Sequence, residues 1–570
     1  MKMQIAFIVL MLLLVAHAVD MVAINSMDGR DVLSGIFYAN VKGLPVVFMP
    51  SQGGNAAIFS AKVGSGHDIL LIQSSTDPVS GFVQSGLEAN NNTIDLYSST
   101  DGETTNMYLA NLSGATSFIV VGSAYSDSAL SVITYAKLTK SYVLLANKDN
   151  AAQVHDMVAG KSVTIYGLVD PEVSAALAPL DPQVIGTGED KYEDNVAIVE
   201  KTMDEFNISR VIMVDGTFME DSMALGDQPI LLSGQLIPQP TSDFITQYVG
   251  EGKLSQVMLI GNSLVVPVYD MRQKMKNDFL SQGQNKTFGI VVKFAQVIPS
   301  ADSSVLNLDT FAMPAYEPSL GITGVAYNNQ TGNIMVTVND TGGGAAYYSM
   351  EVDVKLNGQD YITFPAADPV IIQSGEQNGT EFPFDMSNVT EGNLTAAVLV
   401  KYGASKTSLD AFTTAEGPLA TINYVDDSNV TVQAATYDAD KKVLLVTLKN
   451  NGQSDAYSLS SVTLDLNGAP ATITGSGTQT IEPSSLVVEE MPLALSDADF
   501  AANSQVNISV DYGARPGFLV KKGEFTMPLA EQGGLSILLV IGGVVVLAIL
   551  VIAAAAAFFL MGKKKKKRGL

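Results

Sequence analysis

The sequence predicts a multidomain chain. Three tandem doubly wound-like α/β repeats come first, then two immunoglobulin-like β-sandwiches, then one C-terminal transmembrane helix. Three observations carry this reading. The N-terminal half repeats one pattern at a period of about ninety-five residues, and the C-terminal half repeats another at a spacing of 110. An uncharged stretch, residues 535–561, then runs into Gly562 and a basic cluster.

Residues 1–18 open with Lys2, an apolar run over 5–15 and Ala16-His17-Ala18. A basic start, a short apolar core and an A-x-A site predict a secretory signal peptide cut after Ala18. The run is too short to span a bilayer with ease.

The α/β repeats are predicted over 19–115, 116–207 and 208–280. Each begins with a short apolar run: Val22-Ala23-Ile24, Phe118-Ile119-Val120-Val121 and Val211-Ile212-Met213-Val214. Two further runs follow in each, for example Tyr142-Val143-Leu144-Leu145 and Ser162-Val163-Thr164-Ile165-Tyr166 in the second. Continuous apolar runs of this length suit parallel strands buried on both faces, so each unit reads strand, helix, strand, helix, strand. Asp31, Asp127 and Asp221 stand nine or ten residues after the first apolar run of each unit begins, where they are expected to cap a helix N-terminus.

The strings Asp127-Ser128-Ala129-Leu130 and Asp221-Ser222-Met223-Ala224-Leu225 resemble the cell-wall-binding repeat (type two) family. So do Pro229-Ile230-Leu231-Leu232, and Val184-Ile185-Gly186 followed by Asp190-Lys191-Tyr192. The resemblance covers about residues 22–275. Two departures stand out: Gln183 occupies the place of the family's arginine, and the first repeat diverges. The resemblance implies a surface or S-layer protein of a bacterial or archaeal envelope, and an anchored C-terminus with no sortase-type motif and many Asn-x-Ser/Thr sites suit an archaeal one better. It also implies a polymer-facing strand at Pro229, Ile230, Leu231 and Leu232. An acidic exterior and a membrane anchor favour a plain buried strand at those four positions.

Residues 281–318 read as a β connector, a partial sandwich-like hairpin. Sandwich one is predicted over 319–418 and sandwich two over 419–530. Tyr327 matches Tyr437, Asn357-Gly358 matches Asn467-Gly468, and Tyr402-Gly403-Ala404 matches Tyr512-Gly513-Ala514, each pair 110 apart. Alternating runs such as Ile334-Met335-Val336-Thr337-Val338 between turn dipeptides are the pattern of half-buried antiparallel strands.

Residues 535–561 are long enough, at about 1.5 Å per residue, to cross a hydrocarbon core of about 30 Å. The basic tail, 562–570, belongs on the cytoplasmic side. The expected location is therefore the cell surface, as a single-pass protein with its N-terminal ectodomain outside and membrane lipid around its C-terminal helix.

The chain carries −26, and without Lys2 and the six basic residues of the tail it carries −33. Such an exterior repels nucleic acid and attracts divalent cations. Only 16% of residues are charged, below the globular norm of about 25%, so hydration must rest on neutral groups. Asn-x-Ser/Thr acceptors for glycan stand at Asn91, Asn111, Asn207, Asn285, Asn329, Asn339, Asn378, Asn388, Asn393, Asn429 and Asn507. Low external pH is an equal explanation, and the sequence leaves both open.

Catalytic signatures are missing. There is no cysteine, and beyond the signal peptide only His67 and His155 remain, in unrelated places. No nucleophile elbow, P-loop, zinc motif or EF-hand loop occurs, so no catalytic residue, no metal site and no cofactor is expected. Calcium held by Asp426-Asp427 or Asp438-x-Asp440 is a weak candidate beside plain surface carboxylates. The expected function is a non-enzymatic, structural envelope protein of the S-layer type, displayed on a sandwich stalk. Its expected partners are copies of itself or other envelope proteins. The alternative is an adhesin or receptor that binds envelope glycan with the α/β head.

Overall fold

A computed structural model describes residues 19–51, 54–234, 237–294, 296–297, 305–306, 308–313, 318–386, 393–439, 441–466, 469–475, 477–493 and 495–531. The expected signal peptide, membrane helix and basic tail lie outside the described residues. Among the described residues no helix is long and apolar enough to cross a membrane. The chain divides into two compact units, residues 1–425 with 516–518, and 426–515 with 519–570.

The first unit opens with three four-stranded parallel sheets. Repeat one holds β1 (Met21–Asn25), β2 (Val46–Phe48), β3 (Asp68–Ser74) and β4 (Thr93–Ser99) in the order 2-1-3-4. Repeat two holds β5 (Ser117–Gly122), β6 (Tyr142–Ala146), β7 (Ser162–Tyr166) and β8 (Gln183–Ile185), ordered 6-5-7-8. Repeat three holds β9 (Arg210–Val214), β11 (Ile230–Leu232), β12 (Gln256–Ile260) and β13 (Gly289–Lys293), ordered 11-9-12-13. A short extra strand, β10 (Phe218–Glu220), follows β9. The central strands are buried along nearly their whole length; Val22, Ala23, Ile24, Val120, Val121 and Met213 have no exposure. Parallel sheets covered on both faces require this.

Each sheet has one strand more than the three that the apolar runs indicate. The fourth strands, β4, β8 and β13, are outer strands with few buried residues, so they lack the continuous apolar signature. The strand at Gly289–Lys293 also moves the end of repeat three beyond 280, into the segment expected to be a connector. The rest of that segment does include a small antiparallel ladder, β14 (Gln296–Val297) with β15 (Val305–Leu306). Its last strand, β16 (Thr310–Ala312), pairs with β10.

The three expected caps fall elsewhere. Helix α1 (Gly29–Lys42) is capped by Asp28, whose carboxylate accepts from the Arg30 amide at 2.8 Å. Asp31 lies inside the first turn, buried, and accepts from Ser26 Oγ at 2.6 Å and Ser99 Oγ at 2.8 Å. Asp127 sits within a helix whose cap residue is Tyr125, and Asp221 follows the capping Glu220. All three acids still lie in first turns, where the helix dipole favours negative charge.

Sandwich one completes the first unit. One sheet runs β22 (Gln377–Pro383), β18 (Asn333–Asp340), β17 (Leu320–Asn328), β25 (Ala420–Ile422). The other runs β20 (Gln359–Phe364), β19 (Ala346–Leu356), β23 (Leu394–Gly403), β24 (Ala411–Pro418), with β21 (Val370–Ile372) also on β19. Inward residues of both sheets, including Val336, Val338, Tyr348, Val352 and Val400, form one core. The expected boundary at 418 cuts through this domain, because the chain crosses from one sheet to the other between β24 and β25.

The second unit repeats this plan. Its strands are β26 (Val430–Asp438), β27 (Val443–Asn450), β28 (Ala456–Leu466), β29 (Ala469–Thr474), β30 (Gln479–Ile481), β31 (Leu486–Pro492), β32 (Gln505–Gly513) and β33 (Lys521–Glu531). β33 does the work of both β24 and β25, pairing with β32 and then with β26. Even the irregularity is repeated: the ladder slips between Ile322 and Gly324 in β17, and between Val432 and Ala434 in β26.

Candidate functional site

In parallel α/β sheets crevices open at the carboxyl ends of the strands. Here side chains cross from each repeat to the next, so the seams between repeats are the places to look for a site.

Helix α4 (Gly102–Ser113) closes repeat one and reaches the edge of repeat two. Asn106, fully buried, donates from Nδ2 to the Val143 carbonyl at 3.0 Å and accepts at Oδ1 from the Leu145 amide at 2.9 Å. Helix α9 (Lys191–Phe206) does the same for repeat three. Asn195 Nδ2 donates to the Ile230 carbonyl at 2.8 Å, and its Oδ1 accepts from the Leu232 amide at 2.7 Å. Each side-chain amide pairs with an edge strand as a neighbouring strand would, satisfying backbone groups that would otherwise be buried and open. A serine steadies each one: Ser34 Oγ accepts from Asn106 at 3.0 Å, and Ser131 Oγ from Asn195 at 2.9 Å.

Both asparagines stand five residues after the capping aspartate of their helix, Asp101 or Asp190. That shared D-x4-N spacing was the available signal. Sequence reasoning missed it because the intervening residues differ. The third seam, from repeat three back to repeat one, uses other parts. Phe311 of β16 meets Phe48 of β2 edge-on at 6.3 Å, and the Ala312 amide donates to Ser51 Oγ at 2.8 Å. Lys62 forms ion pairs with Asp221 and with Asp309.

Two clefts open along the seams. The first, about 640 Å³, lies between repeats one and two and is lined by Asp28, Arg30, Ser123, Tyr125 and Met313, among others. Arg30 is its one lining cation, and it is engaged by Asp28 at 2.9 Å and Glu103 at 3.1 Å. Glu103 also accepts from Asn147 Nδ2 at 2.8 Å and Ser123 Oγ at 3.1 Å. The second cleft, about 100 Å³, is lined by Asp127, Lys191, Asp194 and Asp215. Lys191 lies 3.4 Å from Asp127. Burial pushes the Asp194 carboxyl up to about 6, against the pull of the Gly188 and Thr187 amides. With one lysine for three carboxylates, this cleft disfavours anions.

Sandwich one docks over the carboxyl end of repeat two. The buried Ser405 hydroxyl donates to Asp190 Oδ2 at 2.8 Å, and Thr407 also donates to Asp190. Tyr347 donates to the Gly188 carbonyl at 3.1 Å, and the Ala345 amide donates to Tyr125 OH at 3.0 Å. Asp190 thus caps α9 through one oxygen and holds the sandwich through the other.

Pro229, Ile230, Leu231 and Leu232 lie in this interior. All four are buried, and β11 packs against α9 and against α5 (Ser126–Ser131). Of the asparagines expected to accept glycan, Asn91, Asn111, Asn207, Asn285, Asn329, Asn393, Asn429 and Asn507 are exposed; Asn339 and Asn378 are half-buried in paired strands, and Asn388 lies outside the described residues. Asp426 is held by Lys521 at 3.0 Å, and Asp438 accepts from the Lys441 amide at 3.0 Å. Asp440 lies outside the described residues, and among those described no group of acids or histidines is arranged to hold a metal ion. His155 sits beside Asp156 and His67 beside Asp20, in separate places.

These features define a multidomain protein of parallel α/β units followed by β-rich domains. No family model matches the chain, and no curated protein matches it. Among solved structures it is similar to Cwp8 from Clostridium difficile, at 14% identity over 45% of this chain and 47% of that one, TM-score 0.38. It is also similar to Cwp6 from Clostridium difficile, at 14% identity over 42% and 40%, TM-score 0.32. The chain therefore matches less than half the length of either, and a likeness at these scores carries no conclusion about function.

Proposed function

We propose that this chain is a structural protein of the cell envelope, of the S-layer or S-layer-associated type. Its working part is a rigid block of the α/β repeats with the first sandwich, and the chain that follows leads to a membrane anchor. The supporting observation is the way the repeats are joined. Buried asparagines, an aromatic pair and a capping aspartate tie three α/β units and a sandwich into one body. Such joints spend polar groups on rigidity rather than on a reaction centre. Few surface charges and many exposed glycan acceptors suit dense packing of copies, with cations or glycan screening the acidic surface. In this reading the first sandwich is part of the head, since it is fixed to repeat two, and the stalk begins after it.

Electron cryo-tomography of envelopes from producing cells, with and without chelation of divalent cations, tests this. A periodic array with block-sized outer density is the expected result, and scattered particles without order would remove the lattice. A receptor for envelope polymer is the second reading, favoured by the open cleft of about 640 Å³ at the first seam. Retention of purified envelope glycan by the full chain, lost on filling the cleft with Ala124→Trp, would support it.

A further inference from the structure

The two sandwiches are copies, so equivalent side chains should meet equivalent surroundings. In two buried places they do not, and both differences involve a carboxyl group.

Strand pairing fixes the equivalences. Asp340 pairs with Leu320 as Asn450 pairs with Val430, and Thr380 pairs with Val336 as Glu489 pairs with Val446. Asn450 is fully buried. Its Nδ2 donates to the Ser454 carbonyl at 2.7 Å and the Ile481 carbonyl at 2.9 Å, while Oδ1 accepts from the Gly452 amide at 2.8 Å. Asp340 keeps the accepting half of this arrangement, with Oδ1 taking the Gly342 amide at 2.7 Å. Its Oδ2, where the copy has a donor, is buried with no hydrogen-bond partner. A carboxylate has no proton to donate there, and a carboxylic acid has one.

In sandwich two the exchange runs the other way. Ser458 and Ser460 take the places of Tyr348 and Met350, and Glu489 takes that of Thr380. The glutamate reaches into the interior at 1% exposure, against Gly475, where a Cβ would collide with its oxygen. Both carboxyl oxygens lack a well-formed hydrogen bond, as do the Ser458 and Ser460 hydroxyls. The surrounding inward residues, Val446 and Leu448 of β27, Val462 of β28 and Ile481 of β30, are apolar. Lys449, Asp465 and Glu490 alternate to the outer faces of the same strands. Around Asp340, Glu376 offers its backbone carbonyl, while its carboxylate feels Lys148. Among the described residues, no cation is paired with either acid.

We propose that Asp340 and Glu489 carry their protons in the folded sandwiches, so that the β-rich domains gain stability as the surroundings turn acidic. Burial pushes Asp340 up to about 6, with the Gly342 amide opposing, and Glu489 up to about 7, with Ser460 opposing. Both lie above the unfolded values of 3.8 and 4.5. The stabilisation is therefore complete below those unfolded values and is lost as pH rises towards 6 in sandwich one and 7 in sandwich two.

The test is hydrogen exchange on the full chain in detergent, corrected for intrinsic rates, between about pH 4 and pH 7. Protection of β18 and of β27 with β31 should each fall about 100-fold over that range. Asp340→Asn, which installs the side chain of the copy, should flatten the response of β18 alone, and Glu489→Gln that of β27 and β31 alone. A flat wild-type profile, or slopes that survive both substitutions, would overturn the proposal. If a variant does not fold, residue-resolved NMR titration of the Asp340 and Glu489 carboxyl carbons in the unaltered chain decides. Midpoints well above the ordinary carboxylate range support the proposal, and ordinary midpoints reject it.

Discussion

Single residues at the seams have roles that their exposure alone would not reveal. Asn195→Ala removes one donor and one acceptor from a buried strand edge, leaving the Leu232 amide and Ile230 carbonyl open. A cost of about 2–4 kcal/mol is expected in urea unfolding, since stranded backbone groups keep their full desolvation penalty. Gly186 holds φ at +86°, and a Cβ there would lie 2.4 Å from Asp194 Oδ1. Gly186→Ala should therefore cost about 2–4 kcal/mol by the same measurement. Asp194 adds a pH dependence to the α/β block. Burial pushes its carboxyl up to about 6, above the 3.8 of the unfolded chain, so stability should fall as pH rises between them. Asp194→Asn should remove about 2–3 kcal/mol of that slope. It should leave stability near pH 4 almost unchanged.

At the scale of elements, what the sequence reveals depends on burial. Central strands such as Phe118-Ile119-Val120-Val121 are legible because both faces are covered, which forces a continuous apolar run. Outer strands such as Thr93–Ser99 alternate irregularly and carry no such mark. The helix starts are misplaced by one to three residues. In the first and third repeats a second acid, Asp28 or Glu220, stands just ahead and caps instead, and in the second the helix begins after Tyr125 with no side-chain cap. The joints left only the short D-x4-N spacing as a mark, since Asn106 and Asn195 bond to strands that lie 35 to 39 residues away in sequence. Asp190 gives the element-scale prediction. Asp190→Ala removes a helix cap worth about 1 kcal/mol and both hydroxyl contacts from sandwich one. Faster hydrogen exchange at 405–407, with β19 and β23 still protected, is the expected outcome.

For the whole molecule, accessibility of the glycan acceptors provides a test that needs no substitution. Glycopeptide mapping should find modification among the eight exposed acceptors and none at Asn339 or Asn378, whose strands β18 and β22 pair with each other. Occupied sites at those two would mean that glycan is attached before the sandwich closes.

The joints also impose a direction on assembly. A chain that emerges N-terminus first folds repeat one while Asn106 has no strand to meet, and repeat two must appear before that amide is satisfied. Repeat two then waits on repeat three in the same way. The edge at β2 is covered last of all, because Phe311 and Ala312 emerge some 260 residues after the strand and turn they seal. Until then each finished repeat presents an open, apolar edge to its surroundings, the kind of intermediate that aggregates. Folding of this protein is thus a race between translation and misassociation, and a chain halted before residue 311 would lose it.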